Sequence, residues 1–212
     1  RVYAMLCIGR CITGKIWRGF HEPTESPHES NSKILMIEIS SNIFLIGMMG
    51  SWKSTIGKKL AMALDSKFVD TDDEIEEATE MSVAEIFQER GETQFREMET
   101  AFFVEKSQQL GYVISTGGGI VVIEANRMAL RNNGITIFLK ASPETLSHRI
   151  KNTGKRPLLH GDDPLFRLSK IWKERKEFYE ESAHLTIETD RLNSVQVLEI
   201  IIKKLEAYNA VH

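Results

Sequence analysis

Cysteine is nearly absent. Only Cys7 and Cys11 occur in 212 residues. A three-residue spacer with no cluster of His or Cys elsewhere is a poor zinc signal and argues against a disulfide framework, so a reducing compartment is expected. Charge of one sign is also lacking. A formal net charge of −3 offers no basic excess for nucleic acid. No apolar run approaches the ~20 residues of a membrane-spanning helix. Nucleic-acid and membrane partners are therefore not expected; a cytoplasmic monomer is. Residues 1–20 contain Arg1, Arg10, Lys15 and Arg18 and no acid, and residues 21–32 are polar and broken by Pro23 and Pro27. Residues 1–39 read as a disordered extension or as sequence foreign to the domain. The alternative is the remnant of an organelle-targeting peptide, which is basic and acid-poor and would place the protein in a plastid. The folded domain is assigned to residues 40–212.

What is present begins at residues 47–55, Gly-Met-Met-Gly-Ser-Trp-Lys-Ser-Thr. This is the phosphate-binding pattern G-x-x-x-x-G-K-[ST] with Trp52 in place of its last glycine. An apolar run, Ile43 to Ile46, precedes it, and an amphipathic stretch with Ile56, Leu60 and Ala63 follows. A strand, a glycine-containing turn and a helix N-terminus aim backbone N–H groups and the positive end of a helix dipole at one place. Gly47, Gly50, Ser51, Trp52, Lys53, Ser54 and Thr55 are the candidate nucleotide-binding residues. Lys53 would reach the outer phosphates and the Ser54 hydroxyl would ligate Mg²⁺. The bland reading is a chance glycine-rich turn.

Short apolar runs alternate with helical patterns along the rest of the domain. Strands are predicted at residues 43–46, 67–70, 112–115, 135–139 and 184–188. Helices are predicted from Ser54 onward and at residues 72–80, 83–89, 92–109, 124–133, 164–182 and 194–207, with a further one opened by Pro143. Ser82 and Glu85 form a capping box. Gly91 and Gly134 are read as helix stops, and Phe95, Met98 and Phe102, with Phe103 beside them, as the buried side of the long helix. Residues 152–163 read as a polar loop. The alternation implies an α/β fold with a parallel sheet covered on both faces, whose ligands sit at the carboxyl ends of the strands. Residues 47–55, 70–72 and 117–119 all follow strands and should converge.

Seven segments, in order, carry a resemblance: G-M-M-G-S-x-K-S-T; Asp70-Thr71-Asp72; S-V-A-E-I-F at residues 82–87; G-E-x-x-F-R-x-x-E at residues 91–99; S-T-G-G-G at residues 115–119; R-P-L-L at residues 156–159; and E-R-x-x-x-Y at residues 174–179. Together they resemble the shikimate kinase family across residues 42–205. The resemblance implies a five-stranded parallel doubly wound sheet of the nucleoside monophosphate kinase type, a P-loop kinase with a mobile lid. It implies transfer of the ATP γ-phosphate to the 3-hydroxyl of shikimate with Mg²⁺, a step of aromatic amino-acid biosynthesis.

The resemblance also distributes roles. Phosphoryl transfer depends on charge neutralisation and in-line positioning. Lys53 and Ser54-bound Mg²⁺ address the phosphates, and Asp70 would hold a magnesium-bound water. Asp72 would accept or orient the acceptor hydroxyl proton, unless the acidic pair merely caps the next helix. Arg96 and Arg175 are given to the shikimate carboxylate, with Glu99 holding Arg96; the alternative is solvated helix arginines paired to Glu92, Glu99 or Glu174. Gly117, Gly118 and Gly119 border the shikimate ring, against a plain flexible turn. Arg156, in the polar loop, is the lid arginine with Lys155 beside it, and Arg149 lies near the adenine. His148, His160 and His184 are read as ordinary surface or loop histidines.

Two departures from the family stand out. Lys176-Glu177-Phe178 replaces a stretch that commonly holds proline. Trp52 puts a Cβ and an indole where the loop approaches phosphate, at a cost of about 1–3 kcal/mol if a positive φ is required. Trp52→Gly is then expected to raise activity or ATP affinity. Two readings stay beside the main one: a gluconate-type small-molecule kinase of the same fold, and a non-catalytic relative that keeps the fold.

Overall fold

The structure is a computed structural model and describes residues 41–151 and 163–211. The expectations for residues 1–39, Lys155, Arg156 and His160, and for nearly all of the polar loop, lie outside the described residues.

Five strands form one sheet: β1 (Asn42–Ile46), β2 (Lys67–Asp70), β3 (Tyr112–Ser115), β4 (Gly134–Lys140) and β5 (Leu185–Glu188), in the order β2-β3-β1-β4-β5. Every pairing is parallel. The helices are α1 (Lys53–Ala63), α2 (Thr71–Thr79), α3 (Val83–Glu89), α4 (Gly91–Ser107), α5 (Glu124–Asn132), α6 (Pro143–Lys151), α7 (Pro164–Ser182) and α8 (Ser194–Asn209).

Strand alternation sorts the core onto the two faces of the sheet. Phe44 and Ile46 of β1 join Phe103 of α4, Leu130 of α5, Leu146 of α6 and Tyr179 of α7 in one buried cluster. Ile43 and Leu45 join Ile56 and Leu60 of α1 and Val197, Ile201 and Leu205 of α8 in the other. All five residues of β1 are buried, as expected of a central parallel strand covered on both sides. A third, smaller cluster of Ile75, Ile86 and Phe95 seats α2, α3 and α4 together. No helix of the described residues is long and apolar enough to cross a membrane.

The predicted fold class stands, with local corrections. Gly91 does more than stop a helix. The Arg90 amide closes α3 on Ile86 O, and Gly91, with φ +82°, starts α4. Gly134 is the first residue of β4, opposite Asn42; a Cβ there would strike Asn42 O. On α4, Phe103 is fully buried, whereas Phe102 and Met98 are half-buried and pack against neighbouring clusters. A 3-10 turn at Ile120–Val122 had no sequence signal. His184, read as an ordinary histidine, is exposed but accepts the Thr136 amide through Nδ1 at 3.0 Å.

Candidate active site at the carboxyl ends of β1, β2 and β3

The chain leaves β1 through a turn that needs positive φ. Gly47 has φ +145° and Gly50 φ +80°. A Cβ on Gly47 would lie 2.7 Å from Leu139 O, so the loop packs backbone to backbone against β4. Helix α1 then starts at Lys53. Asp70, Ser82, Asp163 and Asn193 cap α2, α3, α7 and α8 with their side chains, but Trp52 makes no side-chain cap on α1. The first-turn N–H groups of α1 thus suit an anion. The Ser51 hydroxyl is buried in the same loop and makes no hydrogen bond among the described residues. Lys53 is buried, and its ammonium donates to Gly47 O at 2.8 Å and Met48 O at 2.9 Å. Its charge is already folded into the loop that would hold the phosphates.

Asp70 ends β2 and faces both neighbours. One carboxylate oxygen accepts the Ser54 hydroxyl at 2.6 Å, and the other accepts the Asp72 amide at 3.2 Å. The capping reading of this acid is therefore correct, and the same side chain also touches the magnesium candidate Ser54. Ser115 Oγ lies 3.4 Å from Ser54 Oγ. A hydroxyl and a carboxylate are hard oxygen donors, and Mg²⁺ takes few protein ligands alongside water and phosphate oxygens. The Ser54–Asp70 pair fits that ion. Among the described residues no group of three or more His, Cys, Asp and Glu forms a metal cage.

The glycine triplet packs against everything else in the site. A Cβ on Gly117 would strike Glu99 Oε1 and come 2.9 Å from Asp72 Oδ1; one on Gly118 would lie 3.3 Å from the Met49 amide; one on Gly119 would strike the Arg96 guanidinium. A close approach explains why side chains are missing here. The turn is anchored as well as open. The Gly117 amide donates to Thr71 Oγ1 at 3.0 Å, and Thr116 Oγ1 donates to Leu45 O at 3.0 Å. The Gly118 carbonyl accepts Arg175 at 3.0 Å and the Tyr179 hydroxyl. Residues 47–55, 70–72 and 117–119 thus meet at one end of the sheet, as expected of three strand ends, and Arg96 and Arg175 join them there.

Arg96 is held rather than free. It donates to Glu99 at 2.8 Å and Glu92 at 3.1 Å; the Glu99 side chain is 0% exposed and Arg96 14%. Burial pushes the Glu99 carboxyl up, and the Arg96 charge opposes that rise. Burial likewise works against the Arg96 charge, but Glu99 and Glu92 outweigh it and raise its pKa. Glu99 Oε1, the oxygen facing Gly117, makes no hydrogen bond among the described residues.

Sequence reasoning missed Tyr179 and Thr71 as anchors of the glycine turn. Arg175 and Tyr179 stand four apart on α7, so they share one helix face. That spacing was a readable signal for a joint contact.

A family model described as shikimate kinase matches residues 49–206. The chain belongs to the shikimate kinase family. It is 43% identical over 162 residues to the shikimate kinase of Caldanaerobacter subterraneus subsp. tengcongensis, covering 76% of this chain and 94% of that one. It is likewise 43% identical over 164 residues to the shikimate kinase of Legionella pneumophila strain Corby, covering 77% and 94%. Among solved structures, shikimate kinase from Acinetobacter baumannii in complex with shikimate superposes with a TM-score of 0.77 at 34% identity, over 81% of this chain and 96% of that one. A gluconokinase from Sinorhizobium meliloti, at 16% identity and a TM-score of 0.51, shares the fold.

Of the two departures from the shikimate kinase family, Trp52 lies in the phosphate loop, and its backbone takes the positive φ that the sequence marked as costly. It sits at φ 69°, ψ 18°, in the left-handed region, which costs a residue with a Cβ about 1–2 kcal/mol. The indole is half-buried against the α1–α8 side of the core, and the Arg149 guanidinium carbon lies 3.5 Å from its ring centroid. A cation on an indole face contributes about 0.5–2 kcal/mol, comparable to the backbone cost. Arg149, assigned from the sequence to the adenine side, thus sits beside the phosphate loop.

Proposed function

We propose that this chain transfers the γ-phosphate of ATP to the 3-hydroxyl of shikimate, giving shikimate 3-phosphate and ADP. The observation that carries it is the placing of two guanidinium groups on one glycine turn. Arg96 lies against Gly119 and Arg175 bonds to Gly118 O, with Asp72 beside Gly117 and the phosphate loop beside Gly118. A carboxylate accepts paired donors from arginine forks, and a hydroxyl on the same small ring would then face Asp72.

In this reading the amides of residues 50–55 and Lys53 hold the phosphates of ATP. Ser54 and Asp70 would hold Mg²⁺, which when bound would supply charge neutralisation on the phosphate oxygens. Arg96 and Arg175 bind the shikimate carboxylate and so fix the ring. Asp72 takes the proton of the 3-hydroxyl as the new O–P bond forms. The bond between the γ-phosphorus and its bridging oxygen breaks, and that electron pair leaves on ADP. Positioning and charge neutralisation supply most of the acceleration.

The test is ADP release, coupled to a reporter enzyme, with saturating Mg-ATP and either shikimate or gluconate. Shikimate-dependent release without gluconate-dependent release is the expected result. Release with gluconate alone would assign the site to another acceptor. Binding of both ligands without turnover would make the chain a non-catalytic relative.

A further inference from the structure

We infer that Trp52 is a positioning residue for the nucleotide base, acting through Arg149. The inference rests on the reading above, that the loop at residues 47–55 binds ATP. Its starting point is the one residue of the phosphate loop other than glycine that has a positive φ. Trp52 occupies a left-handed conformation directly before α1, a conformation that disfavours residues with a Cβ. Such strain persists only where the surroundings hold it.

The surroundings hold it from two sides. The Trp52 indole packs on the core cluster that includes Ile43, Ile56 and Leu60, and its ring stacks on Arg149 at 3.5 Å. Arg149 in turn is fixed edge-on. Its guanidinium donates to Thr189 O at 2.6 Å and Thr189 Oγ1 at 3.1 Å. Thr189 itself is tied to Lys140 O through both its amide, at 2.8 Å, and its hydroxyl, at 3.0 Å. Half-burial depresses the Arg149 pKa and Asp190 counteracts this, so the cation is partly desolvated, the setting in which it binds a ring face most strongly.

A guanidinium is planar and has two faces. Trp52 covers one and Thr189 takes the edge, which fixes the orientation of the other face. Nucleobases stack on arginine planes and on aromatic rings alike. The layered order indole, guanidinium, purine would make Trp52 a support for the base rather than a bulky intruder on the phosphates. A glycine at position 52 would relax the backbone and remove this support. The expectation drawn from the sequence, that Trp52→Gly improves ATP use, is thereby reversed.

The experiment is steady-state kinetics of the full chain and of Trp52→Leu, Trp52→Gly, Trp52→Phe and Arg149→Ala, with inorganic tripolyphosphate as a competitor that lacks a base. Trp52→Leu and Trp52→Gly should raise the KM for ATP about 3- to 30-fold. The kcat and the KM for shikimate should stay within about twofold, because the acceptor side is untouched. Trp52→Phe, which keeps a ring under the cation, should recover most of the loss. Inhibition by tripolyphosphate should change little in any variant. In the Arg149→Ala background, Trp52→Leu should add no further loss, since the two act as one unit. An unchanged or lowered KM for ATP in Trp52→Gly overturns the inference. So does an equal loss for ATP and tripolyphosphate, which would place the effect in the phosphate loop, and so does full additivity with Arg149→Ala. If the unmodified chain releases no ADP with shikimate, the reading of the site fails and takes the inference with it. That result is seen before any variant is made.

Discussion

Arg96→Ala separates a structural arginine from a substrate-binding one. Arg96 pairs with Glu99, whose side chain is fully buried. Removing one partner of a buried pair typically costs about 3–5 kcal/mol. Arg175 also acts on Glu99 through its charge, so the lower end of that range is expected. The substrate role has a different magnitude. A hydrogen bond to a charged group contributes about 1.5–3 kcal/mol, and each 1.4 kcal/mol is tenfold. Shikimate affinity should therefore fall about 10- to 150-fold, while ATP affinity holds within about twofold. The two effects are separable, because Arg96→Ala combined with Glu99→Gln removes the stranded carboxylate. Urea denaturation should show stability recovering in the double variant, and calorimetric titration should show shikimate affinity still lost. Equal losses for shikimate and ATP in the double variant would refute the carboxylate role, as would a return of shikimate affinity along with stability.

The remaining predictions are narrower. Burial pushes the Tyr179 hydroxyl up from 10.0 to about 12, so the folded state holds this proton more tightly than the unfolded chain. The contribution is fully present below pH 10 and is lost as pH rises through about 12. Tyr179→Phe should remove about 2–3 kcal/mol of that alkaline loss, measured as urea stability against pH; identical alkaline slopes in both proteins would contradict it. Gly117→Ala would place a methyl group against Glu99 Oε1 and 2.9 Å from Asp72 Oδ1. It should cost about 1–3 kcal/mol of stability and lower kcat more than it raises the KM for ATP, and a fully active, fully stable variant would show that the triplet tolerates a side chain.

Legibility in the sequence followed the range of the interaction. Strands β2 and β3 and helices α3 and α7 carry their bounds in apolar runs, a capping box and an Asp-Pro start, all local signals, and the structure keeps those bounds. Gly134 was misjudged because its place in β4 is set by Asn42 across the sheet, and a glycine adds nothing to an apolar pattern. The phosphate loop, Asp72 and the glycine turn were legible because each follows a strand directly, and parallel topology brings strand ends together without further information. What joins them was legible only in part. The four-residue spacing of Arg175 and Tyr179 signals a shared helix face, but not that the face meets Gly118, and Thr71 reaches Gly117 across a long stretch of chain with no periodicity to encode the bond.

Trp52 is the sharpest case of that limit. Its local reading was correct, since the backbone is left-handed and the position disfavours a Cβ. The consequence drawn from it was incomplete, because the partner that offsets the cost is Arg149 on α6. Sequences that agree with themselves at every level fold well, and a lone violation is expected where a site demands it. A violation that is matched by one cation, fixed by Thr189 at the end of β5, is better explained as a two-residue device than as damage to the loop. Trp52 is thereby joined to the β5 end through Arg149, while its packing on Ile43, Ile56 and Leu60 keeps the first turn of α1 in place whether or not Arg149 is present.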